Sequence, residues 1–314
     1  MVDVAVVVVT WNNRYLIADC LSTLQADLAT SGLNGLVYVV DSASSDGTAE
    51  YIRDNFPDVD LYASAVNLGF GRGNNQAIQR IMAQPNPPKV VYLLNPDTIT
   101  HKRATRQLYD ALFAHPKTGM VGAQLFYEDG SFQHGAFGFP DWRQVWAEFF
   151  PMRGRWREGA FNGRYPQALY SAEKPFPVDF TLGATMMLRT EVIAQTGMFD
   201  GAFFMYCEEV DWAWRIHRAG WDVLCVPTAH ITHLSGKSTG QVRPQSQIHL
   251  WTSRLLLFSR YRSKRENRFI RWMIQIGMAR KIRQIKNDVS IPHDDQKTAM
   301  IGAYQTIQTL AKNS

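Results

Sequence analysis

The segment Val90–Thr98, VVYLLNPDT, opens with five apolar or aromatic residues and then breaks at Asn95-Pro96-Asp97. A short apolar run that ends at Asn-Pro predicts a buried strand of a parallel sheet rather than a helix. Because open α/β sheets bind ligands beyond the carboxyl ends of their strands, we expect Asn95 and Asp97 at the crevice of the fold. A carboxylate there suits a divalent cation that is shared with the phosphates of a substrate. The alternative is an ordinary turn in which Asp97 caps the next segment.

Strand-like and helix-like segments alternate on the N-terminal side of this stretch. Such alternation is typical of βαβ units and predicts an α/β fold with a mostly parallel sheet flanked by helices. The predicted strands are Val4–Val9, Leu36–Val40 and Leu61–Ala63, and the predicted helices are Tyr15–Leu28, Ala49–Asn55 and Gln76–Met82.

The composition allows a full hydrophobic core, since 46% of the 314 residues are apolar. Met1-Val2-Asp3 leads directly into an apolar run without a basic region, so we expect neither a secretory signal nor a transmembrane segment. The three cysteines form no CxxC pair, which favours reduced thiols in a cytosolic protein.

Residues 254–286 contain eleven Lys or Arg and one acid, whereas the whole chain carries a net charge of only +5. This basic segment predicts an anionic partner.

Polar loops follow the first two predicted strands at Thr10–Asn13 and Asp41–Thr48. Asp41 is placed to accept hydrogen bonds from a nucleotide base or ribose, and the alternative is a loop-start or capping Asp, which is common at such positions. The glycine-rich Gly69–Gly73 opens a helix, where backbone amides favour phosphate. It is neither GxGxxG after the first strand nor a P-loop, which disfavours a Rossmann dehydrogenase or an NTPase.

Residues 128–180 form an aromatic-rich insert without clear periodicity. The insert predicts either a lid or sugar-stacking wall, or a satellite core. An apolar run, Val178–Leu188, follows it and contains Gly183-Ala184, where small side chains let a ligand approach the backbone.

Three acids, Glu208, Glu209 and Asp211, crowd the first turn of a helix predicted over Glu208–Ala219. They complement the helix dipole, and Asp211 can pair with Arg215 one turn later. Crowded acids also raise one another's pKa, as a general base requires. Beyond the next predicted strand, Trp221–Pro227, His233 is either a metal ligand or a structural histidine.

The chain from Gln247 onward is predicted to be helical, with aromatic residues interleaved among arginines. This pattern suits a helix that lies in a membrane interface, and the alternative is a helix that packs on the body and exposes a charged face. No nucleic-acid-binding motif accompanies the basic stretch, so we expect no nucleic-acid partner.

Six motifs in this order resemble glycosyltransferase family 2, and are most similar to its bacterial rhamnosyltransferase-like branch. The resemblance covers about residues 4–240. Its motifs are Val-Val-Thr-Trp-Asn (8–12), Val-Asp-Ser-Ala-Ser-Ser-Asp-Gly-Thr (40–48), Asn-Leu-Gly-Phe-Gly-Arg-Gly-Asn-Asn (67–75), Leu-Asn-Pro-Asp-Thr (94–98), Gly-Met-Phe-Asp (197–200) and Tyr-Cys-Glu-Glu-Val-Asp-Trp (206–212).

The resemblance implies a GT-A fold, which is a Rossmann-like mixed sheet flanked by helices. Residues 1–100 would form its nucleotide-binding half and 101–240 its acceptor-binding half, and a basic amphipathic helical extension, 241–314, would follow. Asp97 and His233 would bind Mg²⁺ or Mn²⁺, with Asn95 at the position where the family carries an acid. Glu209 would be the catalytic base, and Asp211 and Glu208 are its neighbours in the cluster. The implied donor-binding residues are Thr10, Asn12, Asp41, Asn67, Gly69, Asn74, Asn95 and Gly183.

The implied activity is an inverting, metal-dependent transfer of a hexose. We expect L-rhamnose, carried by dTDP, to move to a polyprenyl-diphosphate-linked or oligosaccharide acceptor in the synthesis of a bacterial surface glycan. UDP-linked galactofuranose, N-acetylglucosamine or glucose are rival donors. A nucleotidyltransferase and a non-catalytic binding module are rivals of another class. We expect the protein in the cytoplasm, peripherally associated with the inner face of the cell membrane. The basic C-terminal helices would contact this membrane surface. A homodimer is also possible.

Overall fold

The computed structural model describes residues 2–234, 243–287 and 295–313. By its contacts the chain divides into two compact units. The first comprises Met1–Gly138, Tyr165–Phe204 and Glu208–Ser238, and the second comprises Phe139–Arg164, Met205–Cys207 and Thr239–Ser314. The aromatic insert 128–180 thus contributes to both units, and the predicted boundary at residue 240 stays a prediction.

Ten of the strands in the described part of the chain form one sheet, in the order β3-β2-β1-β4-β11-β6-β12-β5, with β7 paired to β6 and β9 paired to β12. A separate small sheet pairs β8 with β10. The strands are β1 (Val4–Thr10), β2 (Gly35–Asp41), β3 (Asp60–Ala63), β4 (Val90–Leu94), β5 (Thr98–Thr100), β6 (Thr118–Phe126), β7 (Phe132–Gln133), β8 (Ala136–Phe137), β9 (Phe176–Pro177), β10 (Phe180–Thr181), β11 (Thr185–Arg189) and β12 (Asp222–His233).

The helices confirm the predicted alternation in the N-terminal half. They are α1 (Arg14–Ser31), α2 (Thr48–Asn55), α3 (Gly69–Met82), α4 (Ala104–Ala114), α5 (Trp142–Phe149), α6 (Gly154–Arg157), α7 (Gln167–Ser171), α8 (Thr190–Thr196), α9 (Glu208–Arg218), α10 (Arg243–Tyr261), α11 (Lys264–Asn287) and α12 (Asp295–Asn313).

The sheet is mixed and mostly parallel, as predicted, and the strands β1 to β4 are all parallel to their neighbours among these four. Strand β1 lies between β2 and β4 and is parallel to both, whereas β11 is antiparallel to β4 and β6. Every residue of the predicted strand Val90–Leu94 is buried. Alternate residues of the central strands pack with α1 and α4 in one hydrophobic core, while Val9 of β1 faces α3 on the other side. Helices on both faces explain why these strands are continuous apolar runs.

Helix α3 begins at Gly69, so the expectation that it starts at Gln76 is wrong. The glycine-rich motif is the first part of the helix, and glycine's low helix propensity hides this in the sequence. A Cβ on Gly73 would lie 2.7 Å from Cγ1 of Val9. The glycine therefore lets α3 pack directly on β1.

Two further expectations need correction. The apolar run Val178–Leu188 is not one strand, because Leu182–Ala184 separates β10 from β11. The strand predicted over Trp221–Pro227 continues to His233 as β12, so His233 is its last residue and does not lie beyond it. A register shift between Val226 and His230 carries the strand past Pro227, since a proline cannot donate to the ladder.

The second unit has its own apolar core, built from the C-terminal helices and part of the insert. Helix α5 begins with a capping box formed by Asp141 and Gln144. Gly277 of α11 packs so closely on the ring of Phe149 that a Cβ would overlap it, so α5 and α11 are in close contact there. This arrangement matches the satellite-core interpretation for residues 139–164. The core residues are Val145, Phe149, Trp251, Leu255, Phe258, Ile270, Met273, Ile274, Met278, Tyr304, Ile307 and Ala311.

No helix among residues 2–234, 243–287 and 295–313 combines the length and the apolar character needed to cross a membrane.

Candidate active site

The ends of β1 and β2 bring three buried polar side chains together. Thr10 and Asp41 are register partners in the parallel pair, and Ser42 donates its backbone N–H to the carbonyl of Thr10 at 2.8 Å. Asp41 Oδ2 accepts from the N–H of Ser44 at 3.0 Å. Among the described residues, Thr10 Oγ1, Asp41 Oδ1 and Ser42 Oγ have no hydrogen-bond partner. Buried polar atoms are nearly always satisfied, so this cluster indicates a place for a ligand or water.

Ser42 is a candidate that the sequence did not single out. Its hydroxyl lies beside the position that a Cβ would take on Gly73, at 3.6 Å. The only sequence signal for it is its place directly after Asp41.

The predicted donor-binding residue Asn12 holds the loop after β2. Its backbone N–H donates to Ser44 Oγ at 2.8 Å, and its side-chain Oδ1 accepts from the N–H of Ser45 at 2.8 Å. Asn12 has a φ of 52°, a left-handed conformation that asparagine tolerates better than most residues. Its observed role is to join the loops that follow β1 and β2.

Asn67, Gly69 and Asn74 shape the start of α3. Asn67 Oδ1 accepts from the N–H of Gly69 at 2.9 Å, and Asn74 Nδ2 donates to the carbonyl of Phe70 at 3.0 Å. Gly69 has a φ of +71°, and a Cβ there would lie 2.6 Å from the carbonyl oxygen of Phe204. These contacts fix the local backbone.

Asn75, a residue of the same motif that was not predicted to have a role, links α3 to the Gly-Met-Phe-Asp segment. Its Nδ2 donates to the carbonyl of Phe199 at 2.8 Å, and its Oδ1 accepts from the N–H of Phe199 at 3.1 Å. Phe199 in turn packs against Phe70 and Trp212. Two motifs more than 120 residues apart are thereby joined by one amide.

Asp97 and His233 lie together, as the resemblance implied. Strand β5 pairs antiparallel with the end of β12, where Thr98 is the register partner of His233. The N–H of Leu234 donates to the carbonyl of Asp97 at 2.9 Å. His233 Nε2 lies 3.5 Å from Asp97 Oδ1, and both side chains are buried.

The donor atoms at this pair fit a divalent cation. Imidazole nitrogen and carboxylate oxygen are both ligands for Mn²⁺, and carboxylate suits Mg²⁺. In the described residues, His233 Nδ1 and Asn95 Oδ1 are buried without a hydrogen-bond partner. Asn95 is held in place by its backbone N–H, which donates to the carbonyl of Ala184 at 3.0 Å. In the described part of the chain, no three or more His, Cys, Asp or Glu side chains are arranged to hold a metal ion, so a cation here would need ligands from a substrate or water.

Glu209 lies partly buried in the first turn of α9. Burial raises its pKa from the ordinary 4.5 to about 7. A Cβ on Gly183 would lie 3.4 Å from Cζ of Phe70 and 3.9 Å from Cβ of Glu209. The predicted small residue, the start of α3 and the acid cluster therefore meet. A carboxyl group that titrates near neutral pH is suited to general-base chemistry.

The other two acids have different surroundings. Asp211 is 1% exposed, and its Oδ2 accepts from Arg215 Nε at 2.9 Å, which confirms the predicted ion pair. Arg215 also donates to the carbonyls of Thr196 and Met198. Glu208 is buried, with 3% of its surface exposed.

A mixed α/β sheet with polar side chains at its strand ends and an acid cluster in the first turn of a nearby helix is consistent with a GT-A glycosyltransferase. The family model described as "Glycosyltransferase like family 2" matches residues 2–247, and the chain belongs to this family. It is therefore a glycosyltransferase.

Two bacterial glycosyltransferases are similar to this chain in sequence. The chain is 30% identical over 216 residues to an N-acetylglucosaminyl-diphospho-decaprenol L-rhamnosyltransferase of Mycobacterium tuberculosis, covering 65% of this chain and 68% of the relative. It is 27% identical over 177 residues to the rhamnosyltransferase WbbL of Escherichia coli, covering 55% of this chain and 63% of the relative.

A solved structure of a mannosyltransferase from Pyrobaculum calidifontis, in complex with GDP-Man and Mn²⁺, is similar at a TM-score of 0.59 and 16% identity. The similarity covers 99% of this chain and 87% of that one. At this identity the match supports the fold, which confirms the GT-A prediction.

Proposed function

We propose that this glycosyltransferase moves L-rhamnose from dTDP-rhamnose, with inversion, to a lipid-linked or polysaccharide acceptor. The observation that supports the inverting mechanism is Glu209, the carboxyl of the three-acid cluster whose pKa is raised by burial to about 7. The names of the two bacterial relatives support rhamnose as the donor sugar. The name of the mycobacterial relative supports a polyprenyl-diphosphate-linked sugar as acceptor.

Glu209 takes the proton of the acceptor hydroxyl. The freed oxygen attacks C1 of the donor sugar from the face opposite the nucleotide, and the bond from C1 to the diphosphate oxygen breaks. One displacement inverts the configuration at C1, so a single base is sufficient and no carboxylate nucleophile is needed. Gly183 lies beside both Phe70 and Glu209, where a Cβ would be in van der Waals contact with each of them.

The nucleotide occupies the cluster at the ends of β1 and β2. Thr10, Asp41 and Ser42 offer three buried oxygen atoms that no described residue satisfies, and base or ribose groups would satisfy them. Asn12 holds the surrounding loop. Asn67, Gly69 and Asn74 set the backbone of the donor pocket at the start of α3, and Asn95 and Gly183 border the sugar.

Asp97 and His233 would hold Mg²⁺ or Mn²⁺. Such a cation, when bound, neutralises the charge that develops on the departing diphosphate. Asn95, which has no charge, leaves Asp97 as the single carboxylate of the Asn95-Pro96-Asp97 turn and orients that turn through Ala184.

The basic helix α11 supports peripheral binding to an anionic membrane face. Phe269 and Trp272 are exposed on this helix, and their rings stack with centroids 5.9 Å apart. Arg265 and Arg268 are exposed beside them. Aromatic anchors flanked by cations suit the headgroup region, where the lipid-linked acceptor would be presented.

A thermal-shift panel of nucleotide sugars tests the donor. A ligand that binds only the folded state, at 100 times its Kd, adds about 2.7 kcal/mol of stability. We expect dTDP-rhamnose to raise the melting temperature with Mn²⁺ or Mg²⁺, and to do so much less with EDTA. A shift with UDP-galactofuranose, UDP-N-acetylglucosamine or UDP-glucose alone would keep the class and discard rhamnose. No shift with any nucleotide sugar would contradict the proposal.

A further inference from the structure

A cavity of about 310 Å³ lies in the first unit, on the face of the sheet opposite the core that α1 and α4 cover. None of the predicted site residues lines it. Its wall includes Gln124 and Phe126 of β6, Phe132 of β7, Gln167 and Glu173 near α7, and His230 of β12. Its volume is at the lower end of the range of about 300–1,000 Å³ for small-molecule sites, which suits one small ligand.

The lining combines aromatic rings with free hydrogen-bonding groups. Phe126 and Phe132 are each partly exposed and are held edge-on by a neighbouring ring, His230 for Phe126 and Tyr170 for Phe132. In the described part of the chain, no residue is hydrogen-bonded to the side chain of Gln124, Gln167 or Glu173. Flat apolar faces beside amide and carboxylate groups match the alternating apolar and hydroxyl surfaces of a sugar ring.

The charge of the cavity argues against a phosphorylated ligand. Lys and Arg are absent from the residues that line it, all of which are described, while Glu173 adds a negative charge at the mouth. Glu173 also has a φ of 53°, a conformation that costs a glutamate more than a glycine. A neutral polyhydroxyl compound fits this site better than a nucleotide or a diphosphate does.

The cavity is close to the candidate cation pair but on the other side of the sheet. His230 is the register partner of Gln124, and it precedes His233 by three residues. At about 3.3 Å per residue, the two histidines are about 10 Å apart along β12. Because successive side chains of a strand alternate, they project to opposite faces.

We propose that this cavity is a second carbohydrate subsite, which binds a neutral sugar residue of the acceptor glycan away from the reacting hydroxyl. The proposal rests on the proposed glycosyltransfer. The sugar ring would stack on Phe126 or Phe132, and its hydroxyls would bind Gln124, Gln167 and Glu173.

Binding of the full-length protein to an array of immobilised bacterial surface oligosaccharides tests this, without any nucleotide donor. The two pocket variants are Gln167→Ala, on the exposed face of α7, and Glu173→Gly, which removes the carboxylate and suits the positive φ. Leu169→Ala is the matched control, since Leu169 is exposed on the same helix and does not line the cavity. We expect wild type and the control to bind at least one oligosaccharide and both pocket variants to bind it about tenfold more weakly.

The proposal is overturned when wild type binds no oligosaccharide above a bare-surface blank, or when both pocket variants bind as wild type does. The thermal-shift panel with nucleotide sugars, run on the same preparations, separates the two hypotheses. A donor shift without oligosaccharide binding removes the subsite and keeps the glycosyltransferase function proposed above. Pocket-dependent oligosaccharide binding without any donor shift keeps the subsite and removes the proposed donor. With an active acceptor, Glu173→Gly should raise KM for long acceptors and leave kcat unchanged.

Discussion

Asp211 and Arg215 form a buried ion pair one turn apart on α9, with Oδ2 and Nε 2.9 Å from each other. The same guanidinium binds two backbone carbonyls before Phe199, at Thr196 and Met198. Asp211 therefore orients an arginine that fastens this loop to the helix. Glu209 has no ion-pair partner among the described residues, and its carboxyl remains available for a proton. Asp211 is thus engaged in an ion pair and Glu209 is not, a difference that the sequence alone does not show.

We expect Glu209→Gln to lower turnover by about 10²–10⁴-fold, since that is the usual contribution of a general base. Donor affinity should stay close to wild type, because a base acts on the acceptor. Asp211→Asn should instead lower the free energy of unfolding by about 1–3 kcal/mol and keep turnover per folded molecule. Initial rates, donor titrations and urea unfolding of both variants measure this. Wild-type turnover in Glu209→Gln with none in folded Asp211→Asn would assign the base to Asp211.

The pH dependence follows from the raised pKa of Glu209. As a base it must be deprotonated, so kcat/KM should rise with pH and level off above about 7. A profile that is flat between pH 5.5 and 8.5, roughly the span around that pKa, would remove Glu209 from the role.

The same pKa predicts that the free energy of unfolding falls as pH rises, whereas kcat/KM rises. The folded chain holds the proton up to about pH 7, whereas the unfolded chain releases it near 4.5. The contribution of the Glu209 carboxyl to the free energy of unfolding is thus fully present below pH 4.5 and is lost as pH rises through about 7. Glu209→Gln should therefore stabilise the protein at pH 8, by about 2 kcal/mol after allowing for its partial exposure, and hardly at all at pH 4.5. Equal melting temperatures for the variant and wild type at pH 8 would contradict this.

Parts of the fold were predictable because their signals are local. The buried strand Val90–Leu94 and its turn are visible as an apolar run and an Asn-Pro break, and the positions of Thr10 and Asp41 follow from the ends of their strands. The pairing of Asp97 with His233 depends on β5 and β12, which are far apart in sequence, so only the family resemblance anticipated it. Ser42 and Asn75 were missed, because a buried, unsatisfied hydroxyl and a side-chain contact across the fold leave no periodic pattern.

The combination of the insert and the C-terminal helices in one second unit was not anticipated for a related reason. Its core joins Phe149 of the insert to Trp251 in the C-terminal helices, and contacts over such separations carry no local signal. The start of α3 was predicted wrongly for another reason. Glycines lower helix propensity, but Gly73 is required within this helix because it packs directly on Val9.

Ser42→Ala separates ligand binding from stability at the nucleotide cluster. The buried hydroxyl of Ser42 is unsatisfied among the described residues, so its removal should leave the free protein as stable or more stable. If the hydroxyl binds the nucleotide, donor affinity should fall about five- to tenfold. Thr105→Val is a matched control, because Thr105 Oγ1 is another buried hydroxyl without a partner among the described residues, on α4. Unchanged donor affinity in Ser42→Ala, measured by calorimetry, would place Ser42 outside the nucleotide contacts.

Asp97→Asn and His233→Ala test the cation pair. Each removes one ligand type from a site where the two side chains are 3.5 Å apart. We expect the donor's thermal shift to lose most of its Mn²⁺ dependence in both variants. The smaller shift that we expect in EDTA should persist, because both variants keep Thr10 and Asp41. A full Mn²⁺-dependent shift in His233→Ala would show that the cation, where bound, is held without this histidine.

The membrane proposal depends on side chains of α11 that do not take part in the core of the second unit. Phe269 and Trp272 are 41% and 53% exposed, whereas Trp251 of α10 is fully buried. The double variant Phe269→Ala/Trp272→Ala should therefore keep the wild-type melting temperature and lose most cosedimentation with vesicles that contain anionic phosphatidylglycerol. Arg268→Glu should lose it too, most clearly at low salt, where screening is weakest. Tyr15→Ala, which removes a 60% exposed aromatic side chain from α1, is the control and should sediment as wild type does. If the double variant and Arg268→Glu both sediment like wild type, the exposed face of α11 is not a membrane contact, and its arginines only keep a packed helix soluble.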